Sequence, residues 1–312
     1  MNLIKKKPQV NLQNLAIGDP ELKIHHRGDR KDAVWLRDMD SLHIILPLIY
    51  PNRADNEAFI QERLDLTEVN KYLEKKNAAR EARGDEFKYT LFHVLVAAML
   101  KTAVQRPKLN RFICDGKIYM RRELSAAFVV KKEMSDHSEE GLAFINIELE
   151  DSFESIHEKL RAIIYPIKKG EGDEGTDAMD VFKALPFPVT KTLVAGARVM
   201  DRKGLLPDFF TQGDPNYSSV FFTNLGSIKL RSGYHHLSNY GTNSVFVIVG
   251  EKKMRPFYDD KGKVTMKDTV DIGLTIDERI ADGYYYAKSV DLLKQIIANP
   301  EVLDEPLKAE IK

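Results

Sequence analysis

The sequence predicts an α+β fold in which one large mixed β-sheet is packed with helices, an α/β two-layer sandwich. Three observations carry that reading. Apolar residues recur at helical spacing in long stretches. Short β-branched and aromatic runs lie between them. The two kinds of segment mix without a regular βαβ period, which argues against a doubly wound or barrel fold.

The first helix spans Thr90 to Val104, where Leu91, Leu95, Val96, Met99, Leu100, Ala103 and Val104 form a broad stripe. Arg106-Pro107 stops it, because a residue before proline is pushed out of the helical region. A second helix runs from an N-cap at Ser152 to about Ile164, with Phe153, Ile156, Leu160, Ile163 and Ile164 on one face and Glu154 in the first turn. A third follows Asp282-Gly283 and ends at Asn299-Pro300. Strands are predicted at 126–130, 220–223, 244–249 and 270–276. Asp259 to Lys263 reads as a hairpin turn, and Lys168 to Asp177, charged and glycine-rich, as a mobile surface loop within the domain.

The chain has 312 residues, 47 Lys+Arg against 47 Asp+Glu, one cysteine and 43% hydrophobic residues. Its charge balance gives no basic excess for phosphate neutralisation, and Lys5-Lys6-Lys7 is a solvated strip, so nucleic acid is not an expected partner. No window of 18 apolar residues exists, so no membrane partner is expected. With no secretory signal pattern and a lone Cys114, a cytoplasmic chain without disulfides is expected. Walker, Gly-x-Gly-x-x-Gly, His-Glu-x-x-His, Cys-x-x-Cys and Gly-x-Ser-x-Gly patterns are absent, and no metal site is predicted.

Four motifs remain. Phe221-Phe222-Thr223-Asn224-Leu225-Gly226 precedes a strand, and Asp277-Glu278-Arg279-Ile280-Ala281-Asp282-Gly283 opens the last helix. Further back lie Arg106-Pro107-Lys108-Leu109-Asn110 and Asp115-Gly116-Lys117-Ile118. In this order they resemble the catalytic domain shared by chloramphenicol acetyltransferase and the dihydrolipoyl acyltransferases of 2-oxoacid dehydrogenase complexes. The resemblance covers roughly Arg30 to Leu303. It implies a CoA-dependent acyltransferase fold, with coenzyme A or acyl-CoA as substrate and a small-molecule acceptor. It further implies a homotrimer with active sites between subunits.

The resemblance also implies roles. Thr223 matches a hydroxyl that donates to the oxyanion, although a β-branched strand residue without catalytic duty fits the same position. Asp282 matches a structural, orienting aspartate whose arginine partner is assigned to Arg37. Gly283 permits the turn into the helix, and Asn224 belongs to the oxyanion segment. At the centre the chain departs from the pattern, because Glu278 stands where the family has its catalytic histidine. A carboxylate titrates near 4.3 and an imidazole near 6.5, so Glu278 is intrinsically the weaker base unless burial raises it.

His235 and His236 are candidates for a displaced base, or else inert loop residues. His93 reads as a core histidine and Cys114 as a small buried residue. Tyr284, Tyr285 and Tyr286 replace the small residues of the family pattern, either narrowing a channel or packing their rings. Residues 1–30 form a lead, 31–305 a single acyltransferase-like domain and 306–312 a tail, with no room for a lipoyl or subunit-binding domain. Two functions stay open: a stand-alone acyltransferase of weakened or altered activity, and an inactive trimeric relative that binds a small ligand or CoA or serves assembly.

Overall fold

All four predicted strands join one mixed six-stranded sheet, in a computed structural model describing residues 12–131, 140–168, 185–211, 213–258 and 261–311. The lysine run 5–7, most of the 168–177 loop and the 259–260 part of the hairpin turn lie outside these residues.

In chain order the strands are β1 (Ala33–Trp35), β2 (Glu57–Asp65), β3 (Arg111–Cys114), β4 (Lys117–Arg121), β5 (Leu124–Lys131), β6 (Glu140–Ile147), β7 (Val220–Asn224), β8 (Val245–Tyr258) and β9 (Val264–Asp277). The helices are α1 (Ser41–Ile49), α2 (Thr67–Glu81), α3 (Leu91–Gln105), α4 (Phe153–Lys168), α5 (Phe187–Arg202) and α6 (Gly283–Ala298). The large sheet runs β2-β9-β8-β7-β5-β6, and β1-β4-β3 form a separate three-stranded sheet. Strand β7 pairs in parallel with both β5 and β8, and the other pairs are antiparallel.

Side chains of a strand alternate between faces, and β8 shows which face does what. Val245, Val247 and Val249 enter the main core, while Phe246 and Ile248 belong to a smaller cluster with Leu237. The main core also takes Val94, Leu95 and Leu100 of α3, Ile156 and Leu160 of α4, and Leu293 and Ile296 of α6. The opposite face is covered by the segment around 232–241. A Cβ on Gly273 would lie 1.9 Å from the Gly233 carbonyl oxygen, so only glycine lets this segment approach the sheet.

Caps explain the helix starts. Thr90 and His93 form a reciprocal capping box on α3, and the Asp282 carboxylate accepts from Tyr285 N–H at 2.8 Å at the start of α6. Helix α4 continues past the expected end at Ile164 to Lys168, carrying Pro166 in its last turn, where one lost backbone donor is tolerated. Asp115 and Gly116 both have positive φ, 49° and 70°, as a tight two-residue hairpin between β3 and β4 demands.

The main core reaches beyond the expected 31–305 span. Leu12, Leu15 and Leu22 on one side and Leu307 on the other are buried in it. Strand β2 and helix α2 escaped the sequence reading because both are rich in charge: β2 is an edge strand, and α2 buries only Val69, Tyr72 and Arg80.

Candidate active site

The end of β9 is fixed by charge. The Asp277 carboxylate and Arg279 guanidinium form a two-bond fork, Nε to Oδ1 at 2.7 Å and Nη2 to Oδ2 at 2.6 Å. Both side chains are buried, and buried Arg53 brings its Nε to 3.6 Å from Oδ2 of the same carboxylate. Arg279 also donates to the Tyr50 carbonyl at 2.7 Å, while Arg53 donates to the carbonyls of Ser238 at 2.6 Å and Ile113 at 3.0 Å. Burial pulls the Arg53 guanidinium below its ordinary range, and Asp277 opposes that shift.

Within this frame the Glu278 N–H donates to the Asn56 carbonyl at 2.9 Å, and the Tyr286 hydroxyl donates to the Asp277 carbonyl at 2.8 Å. Glu278 is therefore held by its backbone while its side chain is exposed. No hydrogen bond orients its carboxylate among the described residues. Strand β9 ends at Asp277, and the turn that follows folds Arg279 back onto the Asp277 carboxylate, a pairing that strand alternation does not encode.

Asp282 is the N-cap of α6, and Arg37 is not its partner. Arg37 donates to Asp29 and to the Arg27 carbonyl, both at 2.8 Å, and lies 5.0 Å from the Trp35 ring centroid. The reason is local: Arg37 follows β1, where the buried Asp29 carboxylate collects cations, whereas Asp282 spends its oxygen on the helix terminus. Gly283 is the first residue of α6, directly after the Asp282 cap, and a Cβ there would meet nothing within 4 Å.

The three tyrosines divide their tasks. Tyr284 is exposed, Tyr285 accepts from Lys108 N–H at 3.0 Å beneath Arg106, and Tyr286 is buried against Asp277. His235 and His236 are exposed and stack on one another at 4.5 Å, His235 also stacking on Phe246 at 4.4 Å. The next residue, Leu237, donates its N–H to Glu57, which pairs across the strands with Asp277. The fold thus brings this histidine pair to the Glu278 end of the sheet.

Thr223 lies elsewhere. It is the penultimate residue of β7, followed by a turn in which Ser227 N–H donates to Asn224 Oδ1 at 3.3 Å and Ser227 Oγ to the Asn224 carbonyl at 2.7 Å. Thr223 and Asn224 line a cleft of about 550 Å³ whose other walls include Phe92, His93, Phe128, Val130 and Val249. In register Thr223 faces Ile248, and Ile248 faces Gly273. Glu278 is five residues further along, about 17 Å by strand rise and two strands across. One chain does not bring the two residues together.

The remaining expectations concern packing. His93 is buried, its Nδ1 accepting from Thr90 N–H and lying 3.2 Å from Nδ1 of the equally buried His157. Burial raises the Cys114 thiol, which stays a neutral packing group beside Arg30.

Among the described residues no helix is long and apolar enough to cross a membrane. No family model matches the sequence, and no curated protein is detectably similar to it. Solved structures are. A probable dihydrolipoamide acetyltransferase from Listeria monocytogenes superposes with a TM-score of 0.56 at 15% identity, covering 83% of this chain and 92% of its own. The Azotobacter vinelandii dihydrolipoamide acetyltransferase, described for the roles of a serine, a histidine and an asparagine in its mechanism, gives 0.57 at 14% identity over 83% and 90% of the two chains. The cubic core of a pyruvate dehydrogenase multienzyme complex gives 0.51 at 13% identity over 90% and 93%. The mixed sheet, its helical layer and the coverage of these likenesses assign the chain the CoA-dependent acyltransferase fold of the dihydrolipoamide acetyltransferases.

Proposed function

We propose that the protein transfers an acyl group from acyl-CoA to a small thiol, hydroxyl or amine acceptor, at sites formed between the subunits of a cytoplasmic homotrimer. The observation that carries this reading is the backbone-fixed presentation of Glu278 beside the Asp277–Arg279 fork, with Thr223 on a cleft further along and two strands across the same sheet. A residue pair separated in this way can act on one substrate only if a neighbouring chain supplies the second member. In the Azotobacter enzyme the named histidine and asparagine are four residues apart, as Glu278 and Asp282 are here, and its serine corresponds in chemistry to the Thr223 hydroxyl.

For a thiol or hydroxyl acceptor, the Glu278 carboxylate takes the acceptor's proton as the acceptor attacks the thioester carbonyl carbon. The carbonyl oxygen becomes an oxyanion that accepts a hydrogen bond from Thr223 of the neighbouring subunit. Collapse re-forms the carbonyl, breaks the carbon–sulfur bond and expels the CoA thiolate, which recovers the proton from Glu278. His235 and His236 share the Glu278 end of the sheet and stand as a second source of base.

The exposed carboxylate of Glu278, unoriented by any hydrogen bond among the described residues, favours a second reading: an inactive trimer that binds a small ligand or CoA, or serves assembly. One experiment separates them. Thiol release is followed with acetyl-CoA and longer acyl-CoAs over an acceptor panel, for the wild type, Glu278→Gln and Glu278→His. Wild-type turnover abolished in Glu278→Gln supports acyl transfer with Glu278 as base. A silent wild type with turnover restored by Glu278→His supports the inactive reading.

A further inference from the structure

A second cavity, of about 360 Å³, lies between α1, α5, the β3–β4 turn and the 239–241 loop, and Arg53, Arg198, Arg202 and Arg279 all line it. Its acids are Asp115 and Asp201, and both are engaged elsewhere. Asp201 Oδ1 lies 3.4 Å from Arg30, and Asp115 lies 3.9 Å from Lys203. The one carboxylate behind the wall, Asp277, is divided between Arg279 and Arg53.

That leaves a surplus of guanidinium. Arg198 and Arg202 have no carboxylate within ion-pair distance among the described residues, and both are exposed on α5. Standing at i and i+4 they share a helix face, where like charges repel. Arg53 is 4% exposed; its Nη atoms donate to the carbonyls of Ser238, Gly241 and Ile113, and its Nε lies 3.6 Å from Asp277, so towards the cavity it contributes charge rather than a free donor. An anion in the cavity would relieve the repulsion between the α5 pair and add counter-charge beside the buried Arg53.

We propose that this cavity binds a multiply charged small anion bearing phosphate or carboxylate groups, gripped by Arg198 and Arg202 from α5 with Arg53 at its base. The guanidinium fork matches either oxyanion in two-bond geometry, and arginines from separate elements lining one cavity suit a ligand with more than one charge. Arg279 lines the cavity and directly follows Glu278, so the anion lies beside the proposed reaction centre. The site stands on the cavity and its charges alone and does not require acyl transfer. Two sources share this chemistry: the phosphates of coenzyme A and an acidic acceptor.

Isothermal titration of the full-length chain with inorganic pyrophosphate and with citrate tests the site. Saturable binding is expected, weakened at least about tenfold in Arg198→Ala/Arg202→Ala, where two charge-assisted contacts are lost. It is expected to be unchanged in Lys71→Ala/Lys75→Ala, which removes equal charge from α2. Circular dichroism confirms that each variant is folded. Failure of the wild type to bind either anion, or equal binding by the α5 variant, overturns the proposal. Competition between pyrophosphate and coenzyme A assigns the site to CoA phosphate, and simultaneous binding excludes CoA phosphate and leaves the acidic acceptor. Neither outcome depends on turnover, so a chain that binds anions yet transfers no acyl group retains this site while losing the acyl-transfer reading.

Discussion

Asp277 holds two buried arginines at once, Nη2 of Arg279 at 2.6 Å and Nε of Arg53 at 3.6 Å, immediately before the exposed Glu278. Removing one member of a buried charge cluster leaves the others uncompensated, at a cost of roughly 3–5 kcal/mol. Asp277→Asn is therefore expected to lower the unfolding free energy by that order, read as a lower urea midpoint with an unchanged denaturant slope. A midpoint equal to the wild type's means the arginines are satisfied by carbonyls alone.

The sheet face opposite the helices depends on Gly273. In Gly273→Ala the new methyl group would meet the Gly233 carbonyl oxygen at 1.9 Å, so the covering segment must lift. Overpacking of this kind costs about 1–3 kcal/mol. Thermal unfolding reads the loss, and limited proteolysis should cut the displaced 232–241 segment first. Equal melting temperatures for variant and wild type would show that the segment moves without cost.

Asp282 caps α6 through a single 2.8 Å bond to Tyr285 N–H. Asp282→Ala is expected to cost about 1 kcal/mol, and Asp282→Asn, which keeps a capping oxygen, much less. Denaturant titration of the two variants side by side distinguishes a cap from a charge effect. If both lose the same amount, charge rather than the cap is what matters.

His157 supplies a pH dependence of stability. Burial lowers its pKa from 6.5, with Arg80 acting in the same direction and Glu158 and Glu154 opposing it. A histidine with a depressed folded-state value binds its proton more tightly when unfolded. Its contribution is intact above 6.5 and is lost as pH falls from 6.5 towards the lower folded value. The melting temperature of the wild type should thus drop more steeply between about pH 7 and about pH 5 than that of His157→Gln. Parallel curves would sink the assignment.

Thr223 carries the other half of the proposed reaction. With acyl-CoA and an active acceptor, Thr223→Val should lower kcat by about 10²–10³ and leave KM nearly unchanged, because an oxyanion donor acts in the transition state. A change confined to KM would place Thr223 in the binding cleft only.

The sequence by itself determined the fold class and the strongest elements. The stripe from Leu91 to Val104 and the valine-rich run of β8 are so apolar that only burial satisfies them, whatever the partners. Charged elements were not legible: β2 and α2 bury few side chains, so periodicity carries little signal there. Charge partners were decided by the tertiary structure alone. Arg37 met Asp29 rather than Asp282, and Arg53, distant in sequence, was carried to Asp277. Ion pairing depends on where loops place long side chains in space, and a local pattern does not encode that placement. The gathering of four arginines around one cavity, and the separation of Thr223 from Glu278 along the sheet, are decided in the same way.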